Sequence, residues 1–261
     1  MSKQAEQQYL EKTGEAGRRH SQEKPFSDEY CGVNLAAVGS IVSMLPSPPG
    51  KLLDLGCGAG WTSTFFSKYG YDVVGHDISP DMIAVGNENK VRQQIANLRF
   101  VCGDFEALGD DESLREAFDV VVFFDSLHHA DDALIAIQAA YSSLKPGGML
   151  VTHEPGAGHS TTPGSLEAMR LYGVNERDMP PHLIIEYGIQ AGFKSFRIFP
   201  MQDDLLKIFY GPPPPKLWSK KGFLTIRRLI RMVFNPSLNA SSIVVQIKPQ
   251  TNPRKPAQQL A

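Results

Sequence analysis

Three alternating glycines stand directly behind an apolar run that carries one acid: LLDLGCGAGW, with Asp54, Gly56, Gly58 and Gly60. Glycines so spaced let the chain turn tightly and let a ligand approach the backbone with no Cβ in its way. A dinucleotide loop needs G-x-G-x-x-G, but Trp61 stands where the third glycine would be. The acid inside the run also suits a cationic ligand better than a pyrophosphate. Asp77 follows 21 residues after Gly56, close to the ~20-residue interval at which a carboxylate accepts hydrogen bonds from ribose hydroxyls. In CGDFE, Asp104 offers a carboxylate for a nucleobase amine and Phe105 a ring to pack on the base. Proton-transfer groups follow in two clusters, His128 and His129 in SLHHADD, then His153, Glu154 and His159 in THEPGAGHS. Imidazole titrates near neutrality and suits general-base work. His153 or Glu154 ranks first as the base, His128 next and His159 last.

These groups need a frame that gathers them. KLLDL (51–55), YDVVGHD (71–77), LRFVCGD (98–104), FDVVVFFD (118–125) and GMLVTHE (148–154) read as strands. Helical stretches lie between them near 61–69, 80–96 and 131–144. That alternation predicts a doubly wound α/β fold, a mostly parallel sheet with helices on both faces. The run VVVFF is what a strand buried on both faces requires. In LKPGGML the sequence predicts a helix ending at Lys145, a Pro-Gly-Gly turn and a new strand. Every chemical residue above then falls at the carboxyl ends of strands, the edge where open α/β sheets bind ligands.

The segments LLDLGCGAG, VVGHDIS, FVCGDFEAL, FDVVVFFDSLHHA and LKPGGMLVTHEP run in order over roughly 50–155. They resemble the successive motifs of class I S-adenosylmethionine-dependent methyltransferases, most of all the ubiquinone/menaquinone-type small-molecule branch. The resemblance implies a seven-stranded Rossmann-like sheet with one antiparallel strand, and S-adenosyl-L-methionine as cofactor. By motif position, Asp54 and Gly56, Gly58 and Gly60 hold the methionine end, and Asp77 the ribose. Ile78 packs on adenine, Asp104 binds its amine, and Asp125 lies near the methionine moiety. A sulfonium makes its methyl group electrophilic, so the protein must align an acceptor, exclude water and, for a hydroxyl, help remove a proton. The expected activity is methyl transfer to a small-molecule, sugar or lipid-linked acceptor, with a hydroxyl as the acceptor group. Two alternatives are a non-catalytic S-adenosylmethionine-binding scaffold and a nicotinamide oxidoreductase, the latter opposed by Trp61.

Asp125, His128 or His129, His153 and Glu154 also suggest a Mg²⁺ site, but Mg²⁺ prefers oxygen-rich ligation, and no metal ligand is assigned. Of the segment after the fifth strand, 155–182, Arg170, Tyr172, Arg177 and His182 are candidates for an acceptor wall. Nucleic acid is not expected, since no Asn-Pro-Pro-Tyr-like motif follows the fourth strand and the main body is acidic. Cys31, Cys57 and Cys102 form no CxxC pair, which fits a reducing compartment. With a polar start and no apolar run of ~18 residues, the reading is a cytoplasmic protein.

The formal charge of −2 conceals an asymmetry. Residues 1–204 hold 16 basic and 28 acidic groups, net −12, whereas 205–261 hold ten basic groups and no acid, net +10. Within the basic part, KLWSKKGFLTIRRLIRMVF (216–234) reads as an amphipathic helix. It predicts either a lid packing its apolar side on the catalytic body or an element on an anionic membrane surface. The expected organisation is an N-terminal helical cap (1–46), a cofactor-binding core (47–199), a Pro-rich and basic insertion (200–240), and a last strand with a disordered tail (241–261).

Overall fold

The computed structural model describes residues 2–210, 216, 218–236 and 241–250. The expected proline spacer (211–215) and tail (251–261) lie outside them. Seven strands form one sheet: β1 (Lys51–Leu55), β2 (Asp72–Asp77), β3 (Leu98–Cys102), β4 (Phe118–Phe124), β5 (Leu144–Glu154), β6 (Ser195–Pro200) and β7 (Ser242–Ile247). Their order is β3-β2-β1-β4-β5-β7-β6. β7 runs antiparallel to the other six strands. The chain departs from β1 to β2 on one side and takes up β4 on the other, so a crevice opens between the carboxyl ends of β1 and β4, where such folds seat their ligands.

Ten helices surround the sheet among the described residues. α1 (Ser2–Gln7), α2 (Tyr9–Glu23) and α3 (Cys31–Met44) precede it, and α4 (Trp61–Tyr69), α5 (Pro80–Arg92) and α6 (Ala133–Ser143) alternate with its strands. α7 (Pro163–Tyr172), α8 (Pro181–Ala191), α9 (Gln202–Phe209) and α10 (Lys220–Phe234) follow. One buried cluster, with Leu53, Val121, Ile137 and Ile184, packs α6 and α8 on one face. A second, with Ile41, Leu52, Phe66 and Val122, packs α3 and α4 on the other. β4 serves both clusters in alternation, which explains its unbroken apolar run.

Within the N-terminal part, Tyr9–Glu23 is broken at Gly14 (φ +63°), and α2 packs against α5. One local expectation is corrected. The Pro-Gly-Gly segment is not a turn ahead of a strand: α6 stops at Ser143, and β5 already starts at Leu144. Leu144 pairs with Phe118 and Met149 with Val120, so the four residues between are looped out as an irregularity inside the strand. The strand can resume because Gly147 accepts φ +81°.

The glycine loop is built from both sides. Asp54 is buried at the end of β1, and its Oδ2 accepts from Thr62 Oγ1 and Ser63 Oγ, each at 2.6 Å, in the first turn of α4. Burial pushes its carboxyl up to about 6, against the lowering pull of those two hydroxyls. Gly56 and Cys57 donate their N–H groups to the His76 carbonyl at 2.8 and 3.1 Å, tying the loop to β2. Gly58 and Gly60 both take left-handed φ, +54° and +77°, but for different reasons. A Cβ on Gly60 would fall 2.2 Å from the Phe100 ring, whereas one on Gly58 meets nothing within 4 Å. Gly60→Ala should therefore destabilise the protein by about 2–4 kcal/mol, strain and overpacking together. Gly58→Ala should cost only the backbone strain, about 1–2 kcal/mol. Denaturant unfolding of the two variants measures the difference, and equal losses would contradict it.

Candidate active site

A cavity of about 310 Å³ opens at the carboxyl edge, bordered by Gly56, Gly58, Asp77, Ile78, Asp104, Phe105 and Asp125. Asp54 and Gly60 do not reach it; they hold the loop from behind. Asp77 closes β2 with its Oδ2 accepting from the Gly58 N–H at 2.7 Å and its Oδ1 from Ser79 N–H at 2.9 Å. Burial raises its pKa against those two amides, and each oxygen retains a lone pair for a ligand hydroxyl. Phe105 stands edge-on to Phe123, centroids 5.5 Å apart, which fixes its ring at the cavity wall.

The N-terminal helices, unread in the sequence as site elements, form the facing wall. Lys3, Glu6, Tyr9 and Lys24 all border the cavity. Lys3 Nζ lies 2.5 Å from Asp104 Oδ2 and 3.0 Å from Glu106 Oε2. Burial opposes its charge, yet the two carboxylates raise its pKa overall. The second Asp104 oxygen accepts from the Glu106 N–H at 2.9 Å. Asp104 thus already faces a cation, with geometry that an amine can take over.

At the methyl end, Asp125 follows β4 in a left-handed conformation, φ +49°. A non-glycine residue held there is strained, a condition that gathers at functional sites. Its N–H donates to the His153 carbonyl at 2.8 Å, continuing the β4–β5 ladder, and its Oδ1 lies 3.1 Å from His153 Nδ1. The imidazole is buried and stacks flat on Phe124, with 4.3 Å between centroids and 3° between planes. A carboxylate can only accept, so Nδ1 carries the proton and Nε2 keeps its lone pair when the ring is neutral. Burial lowers the His153 pKa, but Asp125 outweighs it and the net shift is upward. Burial likewise pushes Asp125 up, and the neighbouring imidazole brings it below its ordinary value. His153 borders a second cleft of about 300 Å³, with Asp28, Tyr30, Val33, Asn34 and Met201. Asp125 and Lys24 border both clefts.

Glu154, His128 and His159, the other three candidate bases, line neither cleft. Glu154 is fully buried; its Oε1 accepts from the N–H groups of Ser126 (3.0 Å) and Leu127 (2.8 Å). Its Oε2 lies 2.7 Å from His128 Nδ1 and 3.3 Å from the His128 N–H. With every oxygen engaged, it fixes the 3₁₀ turn Leu127–His129 rather than facing solvent. His129 does border the first cavity; burial lowers its pKa, but Glu6 and Glu176 bring it up to about 9. The ligand set considered for Mg²⁺ is split, with Asp125 and His153 at one side and Glu154 with His128 at the other. Arg170, Arg177 and His182 are exposed, and with Tyr172 they line neither cleft; the 155–182 segment contributes Ala168, Val174 and Glu176 instead. Tyr172 packs edge-on against Tyr9, at 5.1 Å.

Residues 53–152 match the family model described as a methyltransferase domain. A ubiquinone biosynthesis O-methyltransferase of Pseudomonas fluorescens is 26% identical over 218 residues, 84% of this chain and 81% of the other. Among solved structures, phosphoethanolamine N-methyltransferase 2 of Haemonchus contortus, in complex with S-adenosyl-L-methionine, superposes with a TM-score of 0.61 at 20% identity. It covers 93% of this chain, which in turn spans 58% of that chain's length. Geranyl diphosphate C-methyltransferase of Streptomyces coelicolor gives 0.60 at 14% identity, over 91% and 83% of the two chains. These two likenesses are of fold, among enzymes named for nitrogen and carbon acceptors. The glycine loop, the carboxylates at the ends of β2 and just after β3, the strand order and the domain match agree: residues 53–152 of this chain are a methyltransferase domain, on the sheet of the class I S-adenosylmethionine-dependent fold.

Proposed function

We propose that this enzyme methylates a hydroxyl group of a small-molecule or lipid-linked acceptor, seated in the second cleft, with His153 as general base. The observation that carries this reading is the Asp125–His153 pair on the partition between the two clefts. The O-methyltransferase name of the Pseudomonas fluorescens relative supports an oxygen acceptor. The first cavity suits the cofactor: Asp77 has lone pairs for ribose hydroxyls, Gly58 leaves open space over the loop, and Asp104 can exchange Lys3 for the adenine amine. Ile78 and Phe105 would flank the base. When bound, S-adenosylmethionine supplies a methyl carbon on a positively charged sulfur. That methyl group would be offered to the acceptor hydroxyl, and His153 Nε2 would take up the hydroxyl proton. Asp125 holds the ring in the tautomer that leaves Nε2 free and stabilises the imidazolium. Asp54, Gly60 and Glu154 act through the elements they fix.

His153→Gln should lower turnover by ~10²–10⁴ with cofactor affinity unchanged. Activity should rise with pH as His153 loses its proton, with a midpoint above the ordinary imidazole value because Asp125 raises it. Asp125→Asn removes that charge, so the acid limb should move to lower pH while turnover falls. Methyl transfer from labelled cofactor to phenolic acceptors, followed across pH, checks both; undiminished turnover in His153→Gln would remove His153 as the base. Glu154→Gln should instead act on the fold, costing at least about 2 kcal/mol in denaturant unfolding, since buried donors lose a charged acceptor.

We further propose that α10 rests on an anionic membrane surface, where a lipid-linked acceptor is delivered. No helix among the described residues is long and apolar enough to cross a membrane. α10 turns Gly222 and Met232 inward and leaves Phe223, Leu224, Ile226, Ile230 and Phe234 exposed, with Trp218 just before it. A lid would shield that apolar side. Arg227, Arg231, Lys220 and Lys221 are exposed beside it, and each basic group near an anionic surface contributes about 1 kcal/mol. Asp204 pairs with Arg228, attaching α9 to the helix. The protein should sediment with phosphatidylserine-containing vesicles at low salt, less so as salt rises, and not after Phe223→Ser with Ile230→Ser. Failure of the unaltered protein to sediment at low salt would contradict the proposal.

A further inference from the structure

The histidines that the methyl-transfer chemistry leaves unused are gathered in one place. His128 and His129 come from the 3₁₀ turn after β4, while His159 and Glu176 come from the 155–182 segment that crosses over it. A ligating atom from each of His128, His129 and Glu176 lies within 4.8 Å of the others. His128 Nε2 is 3.7 Å from Glu176 Oε2, and His159 Nε2 is 2.6 Å from the same oxygen. The His159 ring stands edge-on to His128 at 5.0 Å.

The outward sides of the first two rings are already fixed. His128 Nδ1 lies 2.7 Å from the Glu154 carboxylate, and His129 Nδ1 lies 2.6 Å from the Asn175 carbonyl oxygen. Both partners only accept, so each Nδ1 carries a proton and each Nε2 is left with its lone pair when the ring is neutral. A carboxylate or carbonyl behind the ring is the arrangement that orients histidines toward a metal ion and sharpens their basicity. Glu6, whose Oε1 is 3.3 Å from His129 Nδ1, and Glu154 make the surroundings anionic. Such a cage favours a cation at its centre.

We propose that His128, His129, His159 and Glu176 bind one divalent ion of the zinc class. Three imidazoles and a single carboxylate suit Zn²⁺ and its borderline neighbours, not Mg²⁺ or Ca²⁺, which require mostly oxygen ligands. The set is distinct from the Asp125–His153 pair. Two ligands belong to the sheet edge and two to the crossing segment, so the ion would fasten that segment over the cavity bordered by His129, Val174 and Glu176. Its role is to tie the wall in place, and binding is measurable without any acceptor or methyl transfer.

The full-length protein, stripped with chelator and dialysed, should be titrated with Co²⁺ and followed by visible absorption, then displaced with Zn²⁺. The expected result is one Co²⁺ per chain with the intense bands of a four-coordinate site, lost as Zn²⁺ enters. His159→Ala and Glu176→Gln, each checked for folding by circular dichroism, should weaken Zn²⁺ binding at least tenfold. His182→Ala, at an exposed histidine outside the cluster, should bind as the unaltered protein does. Absence of Co²⁺ bands in the unaltered protein, or equal affinity in both cluster variants, would overturn the proposal. Neither result would touch the role given to His153.

Discussion

The parallel register of β4 against β5 is the constraint on which the active site depends. It sets Phe124 beside His153, and the next residue, Asp125, bends into a left-handed conformation to meet the same imidazole. A one-residue slip of β5 against β4 would exchange the faces of β5, turning the imidazole away from the cleft and Glu154 toward it. The register is held by a continuous apolar core on both sheet faces, by β7 on the far side of β5, and by the backbone bond from Asp125 to His153. Strain at Asp125 persists because its surroundings determine it from both sides.

Around that pair the molecule divides its acids by task. Asp54 and Glu154 are buried and accept hydrogen bonds from protein donors, so their work is to fix a loop and a turn. Asp77, Asp104 and Asp125 sit at strand ends with lone pairs directed to a cavity. Lys3 spans Asp104 and Glu106 from the opposite wall, which keeps two carboxylates close together without leaving either uncompensated. On the proposed seating of the cofactor, the Lys3 ammonium at Asp104 gives way to a neutral amine donor, which couples α1 to occupancy of the pocket.

Much of this was legible in the sequence, and the exceptions have physical reasons. The strand ends and the glycine loop are local: an apolar run, a turn requirement and a helix start fall within ten residues, so Asp77, Asp104 and Asp125 could be placed at one edge. What sequence could not separate was His153 from Glu154, adjacent residues on opposite faces of β5, because nothing local tells which face carries the cleft. Nor could it tell Gly58 from Gly60, since the distinction is made by Phe100, forty residues away. Lys3, Glu6 and Tyr9 belong to a polar stretch without a motif, and only tertiary packing brings them to the pocket. Glu176 was equally silent, its meaning arising from histidines at 128, 129 and 159. On α10 the helical pattern was readable, but which apolar side chains the fold would cover was not: small Gly222 and Met232 face inward, and the aromatic residues do not.

In the proposed reaction Asp125 fixes His153 with its proton on Nδ1 and its base nitrogen facing the acceptor. Nitrogen-15 NMR of the imidazoles in the protein loaded with S-adenosylhomocysteine tests this most directly. The expected result is an Nδ1–H tautomer for His153 at neutral to mildly alkaline pH, with a titration midpoint above that of a free imidazole. A neutral Nε2–H tautomer, or a midpoint below the free value, would contradict it.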